Sequence, residues 1–326
     1  MPTTTEPQPA AASSTAAPAL FVVINPGSGI HDTEQTRALL KRVFDEARRP
    51  FQFVPVASPQ DLDDASERAA KEAAARDGVL VAVGGDGTIN TVAQAAWKAR
   101  CRLGVLPQGT FNYFGRTHGI PQDLEAAARA LVGARPEPVQ VGDINGRLFL
   151  VNASLGLYPQ LLQDREAFKK KFGRHRWVAM LSGMVTVFEW RRQLVLEIEL
   201  DGKRTVVTTP TLFIGNNLLQ FQQIGIEERT AGLVGAGRLG AIVTKPIGTL
   251  AIFGLLLRGA FGQLGDAEQV DSFAFRTLNV RVRGRKRIKL AADGEVEYMA
   301  PPLCFSVSPT PLMLMLPDAS DRAPVE

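Results

Sequence analysis

The segment Val83-Gly84-Gly85-Asp86-Gly87-Thr88-Ile89-Asn90 carries the clearest chemical signal in the sequence. It follows a continuous apolar run at 79–83, which is typical of a strand buried on both faces of a parallel sheet. From residue 88 onward, apolar residues recur with the spacing of an amphipathic helix. A glycine turn between a strand and a helix can hold a phosphate, because the backbone approaches the anion closely and unpaired N–H groups face it. We call residues 84–90 the first glycine loop and expect a phosphorylated ligand there, with Asp86 orienting magnesium or a ribose.

Two other glycine turns also follow predicted strands. Residues 107–112, Pro-Gln-Gly-Thr-Phe-Asn, form the second glycine loop, and residues 25–29, Asn-Pro-Gly-Ser-Gly, follow the first strand. Ligands of open α/β sheets bind outside the carboxyl ends of the strands, so we expect the three loops to form one rim. The first glycine loop has neither the Walker A pattern nor the G-x-G-x-x-G pattern. A tight turn that holds no ligand remains the structural alternative.

A late carboxylate, Glu295, directly follows the dipeptide Asp293-Gly294, which predicts a tight turn that presents it. A glutamate is ionised at neutral pH and can accept a proton from an alcohol. Glu297 lies two residues further on and would share the face of Glu295 in an extended segment. An ordinary hairpin turn without a catalytic role is the alternative for this segment.

The first half of the chain predicts alternating strands and helices, which indicates a parallel sheet built from βαβ units. The predicted strands lie at 20–24, 51–56, 79–83 and 103–106, and the predicted helices at 33–48, 60–76, 88–97 and 123–132. The second half predicts mostly strands, typical of an antiparallel sandwich. These strands lie at 149–157, 194–200, 203–209, 211–215, 238–243, 272–282, 285–290, 303–307 and 312–316, with helices inserted at about 164–190 and 246–262.

The length of 326 residues favours two domains, and 45% hydrophobic with 21% charged residues excludes wholesale disorder. We expect a disordered leader at 1–19, a nucleotide-binding α/β domain at 20–140, a β-sandwich at 141–316 and a disordered tail at 317–326. Only two cysteines are present, Cys101 and Cys304, which excludes a disulfide framework. The net charge of +4 permits an anionic partner. No segment reaches the roughly 18 consecutive apolar residues that a membrane span needs.

Together these motifs resemble the diacylglycerol kinase catalytic-domain family, in particular the soluble bacterial lipid kinases related to sphingosine and ceramide kinases. The residues that carry the resemblance are 25–29, 84–90, 109–116 (Gly-Thr-Phe-Asn-Tyr-Phe-Gly-Arg) and 293–295. The resemblance covers about residues 20–316. It implies an NAD-kinase-like α/β domain with a C-terminal β-sandwich, an active site in the cleft between them, and a last strand that returns to the first domain.

The resemblance also implies transfer of the γ-phosphoryl group of ATP to a lipid hydroxyl, with Mg²⁺ as catalytic metal. It places Glu295 as general base and Asp86 as second catalytic residue and metal ligand. The implied ATP contacts are Asn25, Ser28, Gly84, Gly85, Asp86, Gly87, Thr88, Ile89, Asn90, Gly109, Thr110 and Asn112. The sequence departs from the family at 232–238, where a magnesium-binding loop often carries acidic residues and this chain has none. Because of this departure, we expect that the chain has lost the family's structural Mg²⁺ loop.

A basic and aromatic segment precedes a long apolar stretch and suits an anionic membrane surface. Its residues are Lys169, Lys170, Lys171, Arg174, Arg176 and Trp177. A solvated charged face is the alternative for this segment. We expect a cytoplasmic protein, peripherally associated with the inner face of the membrane, whose partner is a lipid substrate and not nucleic acid. The oligomeric state, a homodimer included, stays open.

Two other functions are alternatives to a lipid kinase. An NAD kinase-like enzyme would share the first glycine loop, although residues 109–112 and 293–295 favour the lipid kinases. A lipid-binding regulator that has lost catalysis is the other alternative, motivated by the glycine-rich stretch at 235–237. The accepting lipid is also open, because diacylglycerol, ceramide, sphingoid bases and phosphatidylglycerol all offer a primary hydroxyl. A diacylglycerol-type substrate is first, with ceramide or a sphingoid base next.

Overall fold

The computed structural model describes residues 17–26, 32–109, 111–156, 193–200, 202–216, 221, 234–245 and 270–324. The expected helices at 164–190 and 246–262 and most of the expected leader lie outside these residues. None of the helices in the described ranges is both long and apolar enough to cross a membrane.

The N-terminal part is an α/β domain with one six-stranded sheet. Its helices are α1 (Thr33–Glu46), α2 (Leu62–Ala75), α3 (Asp86–Ala99), α4 (Tyr113–Thr117) and α5 (Leu124–Gly133), with a short 3₁₀ helix at Pro59–Asp61. Its strands are β1 (Leu20–Ile24), β2 (Phe51–Val54), β3 (Val79–Gly84), β4 (Arg102–Pro107), β5 (Arg135–Val139) and β18 (Leu312–Leu316), in the spatial order β2-β1-β3-β4-β18-β5. Strands β1 to β4 are parallel. The central strands β1 and β3 are buried along their whole length, as a sheet covered on both faces requires.

The C-terminal part consists of two six-stranded antiparallel sheets. One contains β6 (Gly142–Ile144), β7 (Arg147–Phe149), β9 (Leu194–Leu200), β10 (Lys203–Thr209), β14 (Thr277–Val282) and β17 (Leu303–Val307), ordered β10-β9-β14-β17-β6-β7. The other contains β8 (Asn152–Gly156), β11 (Thr211–Gly215), β12 (Leu239–Thr244), β13 (Val270–Phe275), β15 (Ile288–Ala292) and β16 (Glu295–Met299), ordered β13-β12-β11-β8-β15-β16. Residues of both sheets, such as Leu155, Leu196 and Phe305, share one buried cluster. The sheets therefore pack face to face.

The expected class, an α/β domain with a β-rich second part, is confirmed. Several strand boundaries differ from expectation. The run 272–282 forms two strands, β13 and β14, and the strand expected from 285 begins at Ile288, because Gly284 sits in a turn with φ +70°. Strands β5, β6 and β16 were not expected, and the single strand expected at 149–157 is divided between the end of β7 and β8.

The end of the chain corrects one expectation. Residues 317–324 are ordered, not a disordered tail: Ala319–Asp321 form a 3₁₀ helix, and the amide of Ala323 donates to the Gly119 carbonyl at 2.8 Å. The Arg322 guanidinium donates to Glu137 at 2.9 Å and to the Pro317 carbonyl at 3.0 Å. Strand β18 lies between β4 and β5 in the first sheet, so the segment that follows it is held against this domain.

Candidate functional site

A cleft of about 640 Å³ lies between the α/β domain and the edge of the sandwich. Both parts contribute to its walls. The lining residues are Asn25, Pro59, Leu62, Asp63, Glu67, Gly85, Asp86, Gly87, Thr88, Asn90, Thr91, Gln94, Ala95, Lys98, Arg147 and Glu295. Seven of the residues expected at the site from the sequence are among them, while Gly84, Ile89, Gly109 and Asn112 lie behind this surface. Ser28, Thr110 and the expected membrane-facing residues 169–177 lie outside the described residues.

The first glycine loop joins β3 to α3, as expected. Gly85 precedes the helix and its carbonyl accepts the Ile89 amide at 3.0 Å, while Gly87 is exposed to the cleft. The second glycine loop packs tightly against the first. A Cβ on Gly109 would lie 2.9 Å from the Gly85 Cα and 2.7 Å from the Asn112 side-chain oxygen. Position 109 therefore requires glycine, because the two loops touch there.

Asp86, the first residue of α3, points its carboxylate toward the second glycine loop. Its Oδ2 accepts the Asn112 amide at 3.1 Å, and its Oδ1 is enclosed without a hydrogen-bond partner. Burial raises the pKa of Asp86 above its ordinary value, and the backbone amides of Asn112 and Tyr113 oppose the rise. Asp86 thus links the two loops and still has one oxygen available to a ligand of the cleft.

Asn112 shapes the second glycine loop. It adopts the left-handed conformation with φ +48°, and its Oδ1 accepts the Gly109 amide at 3.0 Å. Its Nδ2 donates to the Gly109 carbonyl at 2.8 Å and to Gln122 at 2.9 Å. Since the whole carboxamide is engaged inside the loop, its observed role is to hold the loop in shape.

Asn25 and Thr88 meet at the rim between the first strand and α3. The Asn25 side-chain amide donates to the Thr88 hydroxyl oxygen at 3.0 Å, and both side chains line the cleft. The structure therefore brings the end of β1 and the first glycine loop together, as the common carboxyl edge of β1 and β3 predicts.

Asn90 and Asp293 join the two domains. The Asn90 side-chain amide donates to Asp293 Oδ2, and the amides of Leu150, Val151 and Asn152 donate to the same carboxylate at 2.6, 2.8 and 3.0 Å. Burial raises the pKa of Asp293, and these donors oppose the rise. From the sequence, we expected Asn90 to contact the nucleotide and Asp293 only to form part of a turn. The contact with Asp293 spans 203 positions in the chain, so no local pattern predicts it.

Glu295 stands opposite the first glycine loop. Asp293 and Gly294 have φ values of +47° and +87°, and β15 pairs with β16 directly across them through Ala292 and Glu295. This is the two-residue hairpin geometry that the Asp-Gly pair favours. The Glu295 Oε1 would lie 3.9 Å from a Cβ on Gly87. The turn therefore presents a carboxylate to the loop, as expected from the sequence.

Arg147 is a site residue that sequence reasoning missed. Its guanidinium lies 2.9 Å from Glu295 Oε2 and 2.6 Å from Glu297 Oε1. It follows Asn145 and Gly146, whose φ values of +52° and +86° form a second hairpin turn of the same kind. The sequence signal that could have revealed it is this Asn-Gly pair, which presents Arg147 as Asp293-Gly294 presents Glu295.

No three His, Cys, Asp or Glu residues come close enough together to hold a metal ion within the described part of the chain. Magnesium that acts on nucleotides is commonly held by one or two carboxylates together with the phosphates. Asp86, with its unpartnered oxygen, fits such a ligand.

Comparisons with known proteins agree with these observations. Residues 19–144 match the family model described as the diacylglycerol kinase catalytic domain. A diacylglycerol kinase of Bacillus subtilis (strain 168) is 33% identical over 186 residues, which are 56% of this chain and 59% of that protein. A "Probable lipid kinase YegS-like" protein of Pseudomonas aeruginosa is 41% identical over 115 residues, which are 34% of this chain and 38% of that protein. The chain thus matches well under two thirds of the length of either relative.

A solved structure of a diacylglycerol kinase from Bacillus anthracis str. Sterne superimposes with a TM-score of 0.64 at 17% identity, covering 93% of this chain and 97% of that one. The likeness extends over both domains and shows a shared fold. Residues 19–144 are therefore similar to the diacylglycerol kinase catalytic domain, and the two relatives match only part of their own length.

Proposed function

We propose that the protein is an ATP-dependent lipid kinase that transfers the γ-phosphoryl group to a lipid hydroxyl. The observation that carries the proposal is the position of Glu295. A carboxylate of the sandwich domain faces Gly87 of the first glycine loop across one cleft. Because residues 19–144 match the model of a kinase catalytic domain, we place the phosphates at this loop. A diacylglycerol-type acceptor is the first choice, with ceramide or a sphingoid base next.

The nucleotide has a suitable binding surface in the cleft. The first-turn backbone N–H groups and the positive dipole end of α3 favour phosphate at the exposed Gly87. From there the cleft continues along α2 and α3 past Leu62 to Lys98. A volume of about 640 Å³ falls within the range usual for small-molecule sites. In this proposal the α/β domain has an NAD-kinase-like fold and binds ATP as its resemblance to the diacylglycerol kinase catalytic-domain family implies.

Glu295 would act as general base toward the lipid hydroxyl. Phosphoryl transfer asks the protein mainly for positioning and charge stabilisation, and the acceptor must also lose its proton. Bound Mg²⁺ would supply neutralisation of the phosphate charge, and Asp86 is the residue that would hold it. Glu295 comes from the other domain, so the acceptor and the donor would meet only where the two domains face each other.

A lipid acceptor places the protein at a membrane surface. We propose that it associates peripherally with the inner, cytoplasmic face, and that Lys169–Lys171, Arg174, Arg176 and Trp177 contact anionic lipids there. Basic residues near an anionic surface are worth about 1 kcal/mol each and act within about 8–10 Å at physiological salt.

The test is labelled ATP with Mg²⁺ and a panel of acceptors. Phosphatidylglycerol vesicles would be doped separately with diacylglycerol, ceramide or sphingosine, and NAD would be offered without vesicles. We expect label in a lipid product that requires one of the doped lipids. Label on NAD would instead support the NAD kinase-like enzyme. Vesicle binding without any turnover would support the lapsed regulator.

A further inference from the structure

We propose that Arg147 is a positioning residue that orients the Glu295 carboxylate toward the first glycine loop. This inference rests on the proposed function, since it assigns Glu295 the role of base. The guanidinium contacts one oxygen of Glu295, Oε2, at 2.9 Å, and the other oxygen, Oε1, is the one nearest Gly87. Arg147 thus holds the carboxylate by the oxygen that lies farther from Gly87.

Glu297 anchors the other side of the guanidinium. Its Oε1 lies 2.6 Å from Arg147 Nε, and it shares the face of β16 with Glu295 because side chains alternate along a strand. The ion pair with Glu297 is partly shielded, with the Arg147 side chain 28% and the Glu297 side chain 26% exposed, whereas the Glu295 side chain is 47% exposed. A planar guanidinium can bridge two carboxylates in this way, whereas an ammonium group is a point charge on a flexible stem.

The position of Arg147 is itself fixed relative to the first glycine loop. The next residue, Leu148, donates its amide to the Gln94 side-chain oxygen at 2.9 Å. Gln94 belongs to α3, the helix that begins at the first glycine loop. Arg147 also starts β7, the edge strand of one sheet, while Glu295 starts β16, the edge strand of the other. A continuous path of contacts therefore runs from the loop through α3 and Arg147 to Glu295.

The structural alternative is that Arg147 only joins the edge strands of the two sheets. A structural ion pair of that kind would change stability without acting through Glu295. A residue that contacts phosphate would instead change the KM for ATP. A positioning residue should lower kcat, leave the KM for ATP nearly unchanged, and lose its effect once Glu295 can no longer act as base.

The experiment compares Arg147→Met, Arg147→Lys, Glu295→Gln and the double variant Arg147→Met/Glu295→Gln. Arg204→Met serves as control, because it removes a sandwich ion pair with Glu199 at 2.8 Å outside the cleft. kcat and the KM for ATP would be measured on the preferred lipid. Direct ATP binding would show that each variant is folded.

We expect Arg147→Met to lower kcat about ten- to a hundredfold, the scale of misplacing a reacting group by about 1 Å. Arg147→Lys should recover part of this loss, the double variant should be no slower than Glu295→Gln, and Arg204→Met should match the wild type. A multiplied loss in the double variant, or a kcat within about threefold of wild type in Arg147→Met, would overturn the inference and leave the proposed function standing. A wild-type protein that phosphorylates no lipid would overturn both.

Discussion

At the scale of single residues, the structure shows protein partners for two polar side chains that the sequence assigned to ATP. The Asn90 side chain donates to Asp293, and the Asn112 side chain holds the second glycine loop in shape. Asn90 still lines the cleft, whereas Asn112 does not. The residues of the first glycine loop that line the cleft are Gly85, Asp86, Gly87, Thr88 and Asn90.

Asp86→Asn should keep the fold and lose most of the turnover. Asparagine retains an oxygen that can accept the Asn112 amide, but it lacks the negative charge that would hold Mg²⁺. We expect at least a tenfold fall in kcat, a typical minimum for loss of a charged transition-state contact. Steady-state kinetics and thermal unfolding would be compared with wild type. Turnover at the wild-type level would remove Asp86 from the site.

At the scale of structural elements, two hairpin turns and one helix build the site. The hairpin at 293–294 is joined to α3 and to residues 150–152 through the Asp293 carboxylate. Buried backbone donors that lose their acceptor are costly, about 1–3 kcal/mol each. This carboxylate should therefore matter for stability as much as for function.

Asp293→Ala should lower the free energy of unfolding by about 3–5 kcal/mol, because it leaves buried amides unpaired. Asp318→Ala is the matched control. That carboxylate is half exposed and pairs with Arg135 at 3.4 Å, so its loss should cost less than about 1 kcal/mol. Urea unfolding of both variants would measure the difference. Equal effects would mean that Asp293 does not join the elements.

The ordered C-terminal segment predicts a pH effect near α4. Burial, with the nearby charge of Arg322, lowers the pKa of His118 from 6.5 to about 4. The unfolded chain therefore binds a proton before the folded protein does as the pH falls below about 6.5. The free energy of unfolding should drop by about 2 kcal/mol from pH 7 to pH 5 through this group. His118→Gln should remove that part of the pH dependence in urea unfolding. If the free energy of unfolding of His118→Gln depends on pH as it does in the wild type, the lowered pKa of His118 is contradicted.

Local patterns predicted the elements, and contacts between distant residues decided the rest. The first glycine loop was predictable because its strand, turn and helix are adjacent in sequence. The β16 strand was not, since Glu295–Met299 has little apolar periodicity and is extended by pairing with β15. The position of Arg147 in the site was not predictable, because its two carboxylate partners lie about 150 positions away in the chain. The C-terminal segment looked disordered by composition, but Arg322 and Ala323 find partners on the first domain.

At the scale of the whole molecule, the proposed reaction requires a protein that binds ATP and also contacts a membrane. Replacing Lys169, Lys170 and Lys171 by glutamine should weaken binding to anionic vesicles at low salt and leave ATP binding unchanged, because three charges near the surface are worth about 3 kcal/mol. Vesicle sedimentation at several salt concentrations would measure it. Sedimentation equal to that of wild type would favour a solvated face for this segment.

The proposed site is built from both domains of the molecule. The α/β domain offers the glycine loops, and the sandwich offers Glu295, with Arg147 and Asp293 fixing one against the other. In the proposed reaction, Glu295 removes the proton of the lipid hydroxyl across this cleft.

The most direct measurement is kcat on the preferred lipid for Glu295→Gln and Glu297→Gln. A positioned base contributes about 10²–10⁴-fold, so Glu295→Gln should lower kcat at least about a hundredfold with little change in ATP affinity. Glu297 contacts Arg147 and does not line the cleft, so its variant should lose far less. A larger loss at Glu297 would move the base to that residue, and full activity in both variants would contradict the account.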